Sequence, residues 1–315
     1  MGVADAIAEK DFWVCWVLQQ LFTIDGLRER LLFKGGTSLS KVYNVIQRFS
    51  EDIDLAVDFA ALGFTGDNDP RRIELSRTQR QRILDNMLAA CRNYIAGEFI
   101  AALRARCQQI LGVDTTWELS VEGGKPDNVL FSYPSSATPH EYVRSQVVLE
   151  LGTHAEFIPH GTFAIQSFVA QEFPQLLKGE AEVNVEALLA KRTFWEKATI
   201  LHAEFHRPVE KPTPPRYSRH YYDLAMMATS KIWEEARADR ELLAAVIHHK
   251  QIFYAATWAR YELAHPPTLM LYPNAARIQD LREDYRRMEG MIFGKAPAFD
   301  MILQTPQELQ KKING

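Results

Sequence analysis

The sequence predicts an α/β chain of the α+β kind, in which a sheet-bearing first half is followed by a helical second half. Three observations predict it. Residues 53–59 (IDLAVDF) alternate apolar and polar, the period of a half-buried strand, and strand-like segments recur at 115–121, 128–133, 144–151 and 163–169. Residues 4–22 and 74–111 repeat apolar positions every three to four residues, the period of an amphipathic helix. From about residue 183 the spacing is helical nearly to the end. With 315 residues, 47% of them apolar and 24% charged, the chain is long enough for two ordinary domains with sizeable cores. The expected division is 1–180, a core with an N-terminal helix, and 181–315, a helical lobe.

Each element has its own signal. Trp13, Val14, Val17, Leu18 and Leu21 set the apolar face of the first helix, and a short second helix is expected over 25–31. Leu31-Leu32-Phe33 is a short apolar run ending at Gly35-Gly36, as a strand entering a tight turn reads. Helical spacing resumes at Thr37, with Thr37 or Ser38 as N-cap. Gly63, Gly66, Asp67, Asn68, Asp69 and Pro70 mark a loop. The helical region 74–111 carries an expected break near Gly97, and proline-rich stretches at 208–215 and 266–273 punctuate the second half.

Composition removes several classes of function. No run approaches the roughly 18 uncharged apolar residues of a membrane span. Asp5, Glu9, Lys10 and Asp11 interrupt anything resembling a signal peptide, so the expected location is the cytoplasm. Cys15, Cys91 and Cys107 are too scattered for a disulfide framework or zinc cluster and read as reduced packing residues. A net charge of −4 argues against a uniformly basic surface. Residues 71–106 nevertheless hold eight arginines against Glu74, Asp85 and Glu98, and read either as a solvated helix face or as an RNA-facing surface contacting through Arg77, Arg80 and Arg82. There is no Walker A loop, Rossmann glycine pattern or nucleophile elbow. His202 and His206 lie at i, i+4, but without the glutamate placement of a zinc protease. Trp13, Trp16, Trp195, Trp233 and Trp258 read as packing residues, with exposed stacking platforms for bases as the other reading.

The stretch from Gly35 to Asp54 reads as one physical device. A strand ends in two glycines, which allow close backbone approach, and a hydroxyl pair opens a helix, a position suited to anions. Asp52 and Asp54 then stand two apart on a strand and share a face. Two parallel carboxylates repel unless a cation lies between them, and hard carboxylate oxygens suit Mg²⁺, with Mn²⁺ as a possible substitute. The combination would hold a triphosphate on one side and Mg²⁺ on the other.

Gly-Gly-Thr followed by Asp-x-Asp resembles the signature of the DNA polymerase β-like nucleotidyltransferase superfamily. KGGTSLSKVY through RFSEDIDL (34–55) is similar to the AbiEii/AbiGii-type nucleotidyltransferase toxins, a group that includes the MenT toxins. RTFWEKATILH (192–202), RHYYDLAMM (219–227), HHKQIF (248–253) and 284–303 fit the same group. The resemblance implies a nucleotidyltransferase core with a mixed sheet and a helical C-terminal lobe, the nucleotide binding in the cleft between them. It implies transfer of NMP from NTP to an RNA acceptor, the 3′ end of tRNA, and control by a cognate antitoxin.

Residue by residue, the resemblance implies metal binding by Asp52 and Asp54, with Ser50 as the hydroxyl before them. It makes Gly35, Gly36, Thr37 and Ser38 the phosphate turn, Lys197 a phosphate contact and Asp223 the acid of the helical half. Glu150, in VVLEL, is the candidate third carboxylate at the metals and activator of the attacking hydroxyl; a structural glutamate is the other reading. Lys41 and Lys250 are further nucleotide contacts or packing residues. Arg48 is expected to be structural. Two rival functions stay open: transfer to a protein or small-molecule hydroxyl, and a nucleotide-binding regulator without catalysis.

Overall fold

The computed structural model describes residues 5–113, 116–138, 144–175 and 182–315. Ala4 of the expected first helix, Thr115 of the expected strand 115–121 and the expected 180/181 division lie outside the described residues. The chain forms two compact units, 1–42 with 50–188, and 43–49 with 189–315.

In the first unit, helix α1 (Asp5–Thr23) precedes strand β1 (Leu31–Lys34), helix α2 (Gly35–Lys41) and strand β2 (Asp52–Val57). Helix α3 (Arg77–Tyr94) starts at a capping box, in which the Ser76 hydroxyl accepts from Gln79 N–H and the Gln79 side chain accepts from Ser76 N–H. It runs through a π-helical turn, Ile95–Phe99, into helix α4 (Ile100–Leu111). The expected break at Gly97 is therefore a wide turn: buried Ile95 and Phe99 keep both halves against one core. Strands β3 (Glu118–Val121), β4 (Asn128–Ser132), β5 (Gln146–Gly152) and β6 (His160–Ile165), helix α5 (Phe168–Glu172) and strand β7 (Val183–Leu188) complete the unit.

The seven strands form one mixed sheet in the order β3-β4-β5-β2-β1-β7-β6. Strand β2 pairs antiparallel with β1 and parallel with β5, so Asp52, its first residue, and Asp54 lie on the central strand of the sheet. Period-two alternation decides which face each residue takes. Ile53, Leu55 and Val57 join Phe33, Val147 and Leu149 in the main core, beneath Trp13, Val17 and Leu21 of α1. Asp52, Asp54 and Ala56 take the opposite face, where Ala56 packs with Leu32 and Leu188 in a smaller apolar cluster.

Three expectations are corrected. Residues 25–31 are not a helix: Gly26 has φ +84°, and only a 3₁₀ turn, Arg28–Arg30, precedes β1. Residues 183–188 (VNVEAL) are a strand, not the start of the helical region; Val183, Val185 and Ala187 point into the core at period two. Residues 166–169 leave strand β6, because the Ser167 hydroxyl caps α5 by accepting from Ala170 N–H.

The second unit holds helices α6 (Ala190–Phe205), α7 (Ser218–Ala228), α8 (Lys231–Ala238), α9 (Arg240–Phe253), α10 (Ile278–Glu289) and α11 (Phe299–Asn314). The proline-rich stretches 208–215 and 266–273 are non-helical connections, as expected. Residues 43–49 belong here although they sit between α2 and β2 in sequence. Gln47 N–H donates to the Tyr222 hydroxyl at 3.1 Å, Phe49 N–H to Met291 O at 2.6 Å, and Phe293 N–H to Gln47 O at 2.7 Å.

Candidate active site

Strand register assembles the acidic face. Asp54 of β2 lies directly opposite Glu150 of β5, and Asp52 opposite Val148, so all three carboxylates belong to the sheet face away from the main core. Sequence reasoning singled out Glu150 without a motif; the parallel β2–β5 register puts it beside Asp54. Burial first, then the charges of Glu51, Glu150 and Asp54, push the Asp52 carboxyl up to about 6, with Lys10 pulling the other way. Like charges are thus held together, the situation a cation relieves.

Gly35 is fixed by the same face. It has φ +78°, and a Cβ added to it would lie 1.9 Å from Asp54 Oδ2 and 2.5 Å from its Cγ. Both facts demand glycine: the backbone is left-handed, and the Asp54 carboxylate occupies the space of a side chain. The turn therefore carries the Gly35 backbone against the acid that follows on β2.

The hydroxyls behave differently from the expectation. No side chain caps α2, and Thr37 and Ser38 are buried. Thr37 Oγ1 donates to the Asp52 carbonyl at 2.5 Å and lies 3.0 Å from Ser50 Oγ. Thr37 thereby ties α2 to the start of β2, and Ser50 is drawn into the same contact. The N-cap expectation at Thr37 or Ser38 is corrected: α2 starts earlier, at Gly35.

Lys41 is held within the first unit. Its ammonium forms a buried ion pair with Asp11, sits 3.4 Å from Gln166 O and lies 3.8 Å from the Phe168 ring centroid. Lys250, on α9, is buried with its ammonium 4.3 Å from the Tyr254 ring centroid.

In the second unit the resemblance-derived residues meet. Asp223 of α7 is fully buried and receives Arg48 in two-point fashion, Nε at 2.8 Å and a terminal nitrogen at 2.9 Å. Its Oδ2 also lies 2.7 Å from Lys197 Nζ of α6. Burial works to raise the Asp223 carboxyl, but Arg48 and then Lys197 outweigh it and hold the group well below the usual carboxylate range. Burial lowers Lys197, partly offset by Asp223, while the Arg48 charge lowers it further. The Lys197 ammonium is also 3.4 Å from His220 Nδ1. Arg48 is structural as expected, and Asp223 acts as the shared anchor of two cations.

Most of the arginine-rich segment serves the fold. Arg71 pairs with Asp69 and Glu156, Arg72 with Asp67 and Glu74, and Arg92 with Asp127. Arg80 donates to the carbonyls of Pro70 and Arg72, and Arg104 to that of Leu119. Of the three arginines expected to face RNA, Arg80 is a loop-bracing residue. His202 is likewise structural: its Nε2 meets Arg260 O at 3.0 Å and its Nδ1 accepts from Met270 N–H at 3.1 Å. All three cysteines are buried and free. A groove of about 960 Å³ lies wholly within the second unit and contains none of the expected site residues; Trp195, Trp233, Arg240, His248 and Lys312 line it.

The acidic face fits a divalent cation by its donor chemistry. Among the described residues no group of three His, Cys, Asp or Glu is arranged to hold a metal alone. Asp52 and Asp54 supply two hard carboxylates on one face, the number Mg²⁺ takes when phosphates and water complete its shell.

A family profile described as "Nucleotidyl transferase AbiEii toxin, Type IV TA system" matches residues 16–305. The chain belongs to this family. It is an AbiEii nucleotidyltransferase toxin of a type IV toxin–antitoxin system, and membership implies an NTP substrate and a cognate antitoxin. Among solved structures this AbiEii chain is similar to MenT4, a nucleotidyltransferase toxin from Mycobacterium tuberculosis H37Rv. That likeness has a TM-score of 0.48 and 14% identity, and covers 100% of this chain and 96% of MenT4. No curated protein matches the chain. None of its described helices is long and apolar enough to cross a membrane.

Proposed function

We propose that this AbiEii protein transfers NMP from NTP to an RNA hydroxyl, the 3′ end of tRNA, using a Mg²⁺ site at Asp52 and Asp54, in the cytoplasm. The observation that carries the reading is the register that sets Asp54 between Gly35 and Glu150. Asp52 and Asp54 would hold the cation, which neutralises triphosphate charge when bound. Glu150, beside Asp54, takes the proton of the attacking hydroxyl. A bond forms between that oxygen and the α-phosphorus, the bond to the β-phosphate oxygen breaks, and pyrophosphate leaves. The Gly35-Gly36 backbone accepts the triphosphate close to the carboxylates. Lys197, set by Asp223, keeps the role of phosphate contact that the family resemblance gives it.

For the acceptor, the Trp195–Trp233 groove is a second candidate surface beside the arginine-rich helix, whose exposed Arg77 and Arg82 also have no ion-pair partner among the described residues. Arg240 and Lys312 on the groove's rim have no ion-pair partner among the described residues, and a half-buried indole offers a base a stacking surface.

The test is incubation of the protein with Mg²⁺, each α-labelled NTP in turn and total tRNA, with Asp54→Ala as control. Label entering tRNA only with Asp54 present supports the reading. NTP binding without label in tRNA shifts it to a protein or small-molecule acceptor, and no NTP binding overturns it.

A further inference from the structure

Helix α1 carries two adjacent charged residues that an amphipathic pattern would not bury. Lys10 is 2% exposed and Asp11 is 3% exposed, and each reaches a different part of the candidate site. Lys10 Nζ lies 2.5 Å from Glu51 Oε2, on the residue between Ser50 and Asp52. Asp11 holds Lys41, the last residue of α2, and accepts from Phe168 N–H at 2.6 Å. The neighbouring Glu9 receives Ser135 and Ser136, in the segment that follows β4.

Burying such charges costs several kcal/mol per ion, and apolar residues would serve stability as well or better. Their placement therefore calls for another explanation. The partners supply it: one ion pair ends beside the Asp-x-Asp strand, the other on the helix opened by Gly35. These are the two elements whose spacing sets the 1.9 Å clearance between a Gly35 Cβ and Asp54.

We propose that Lys10 is a positioning residue of the metal site, which through Glu51 fixes the entry to β2 and so the aim of Asp52 and Asp54. Asp11 does the same for α2 through Lys41. The inference rests on the reading of Asp52 and Asp54 as metal ligands.

The test separates geometry from charge. Removing Lys10 alone leaves Glu51 as an extra negative charge near the site, which by itself would strengthen cation binding. The double variant Lys10→Met/Glu51→Gln removes one charge of each sign and keeps the net charge. Mn²⁺ binding to the purified full chain, followed by electron paramagnetic resonance, is the readout, with the thermal midpoint measured in parallel. The double variant is expected to melt at or above the wild-type midpoint and to bind Mn²⁺ about tenfold more weakly, the range for losing an outer support of a metal ligand. Lys10→Arg, which keeps the ion pair, is expected within about threefold of wild type. If the double variant melts early, the second buried pair decides: a folded Asp11→Asn/Lys41→Met variant that binds Mn²⁺ about tenfold more weakly supports positioning, and wild-type affinity overturns it. A folded double variant with wild-type Mn²⁺ affinity also overturns it. Wild-type protein that binds no Mn²⁺ would overturn the metal-site reading itself, and this inference with it.

Discussion

Gly35 and Asp54 compete for one volume: the carboxylate of the acid stands where a side chain on the glycine would begin, 1.9 Å from the ideal Cβ position. The glycine turn and the Asp-x-Asp strand are thus a single fitted object. Gly35→Ala is expected to push Asp54 aside and lower transfer about 100-fold, the scale of an ångström-sized misplacement. Circular dichroism should show the fold retained. Wild-type turnover in the alanine variant would remove the steric argument.

Asp52 gives a pH signature in metal-free protein. Its folded value of about 6 lies above the unfolded carboxylate range, so the native state holds this proton more tightly. Stability from this group is fully present below the unfolded value and lost as pH rises through 6, by at most about 3 kcal/mol. Asp52→Asn lacks that loss and is expected to melt higher than wild type at pH 8 but not at pH 4. Added Mg²⁺ should narrow the difference at pH 8. Thermal midpoints across the pH range decide it.

Asp223 neutralises two buried cations, so Asp223→Ala leaves Arg48 and Lys197 uncompensated. A loss of about 3–5 kcal/mol is expected in urea titrations. Because the folded carboxyl is depressed, its contribution is present above the unfolded carboxylate range and lost as pH falls below it. Lys197→Met removes one partner and the proposed phosphate contact together; a raised KM for NTP with little change in stability would point to the phosphate role.

His202 sets an acid limit. Burial is the main cause that lowers its ring to about 4, and both nitrogens are already engaged. The neutral form is required, so stability is intact above pH 6.5 and declines as pH falls toward 4, by about 3 kcal/mol in all. His202→Gln should flatten the unfolding free energy between pH 6.5 and 4. An unchanged slope would place the acid sensitivity elsewhere.

The sheet strands with period-two alternation were legible because one face is buried and the other is not. Strand β7 was lost to a long helical pattern that begins directly after it, although VNVEAL alternates clearly. The Gly35, Asp52 and Asp54 device was legible because its members lie close in sequence. Arg48 with Asp223 is 175 residues apart, and no local spacing encodes such a pair. Lys10 and Asp11 served only to exclude a signal peptide; their burial depends on partners at Glu51 and Lys41 that helical periodicity does not contain. Hydroxyls at Thr37 and Ser50 read as ligand groups, but the backbone carbonyl of Asp52 claims Thr37 first.

The assignment of residues 43–49 to the second unit has a consequence for synthesis. These residues leave the ribosome with the first unit, while Tyr222, Asp223, Met291 and Phe293, which hold them, come far later. At about 5–20 residues per second, Arg48 waits on the order of 10–35 s for Asp223. No single cut yields two self-sufficient fragments: residues 1–188 would keep 43–49 without partners, and 189–315 would keep Asp223 without its arginine. The growing chain therefore completes its second unit only as the last helices emerge.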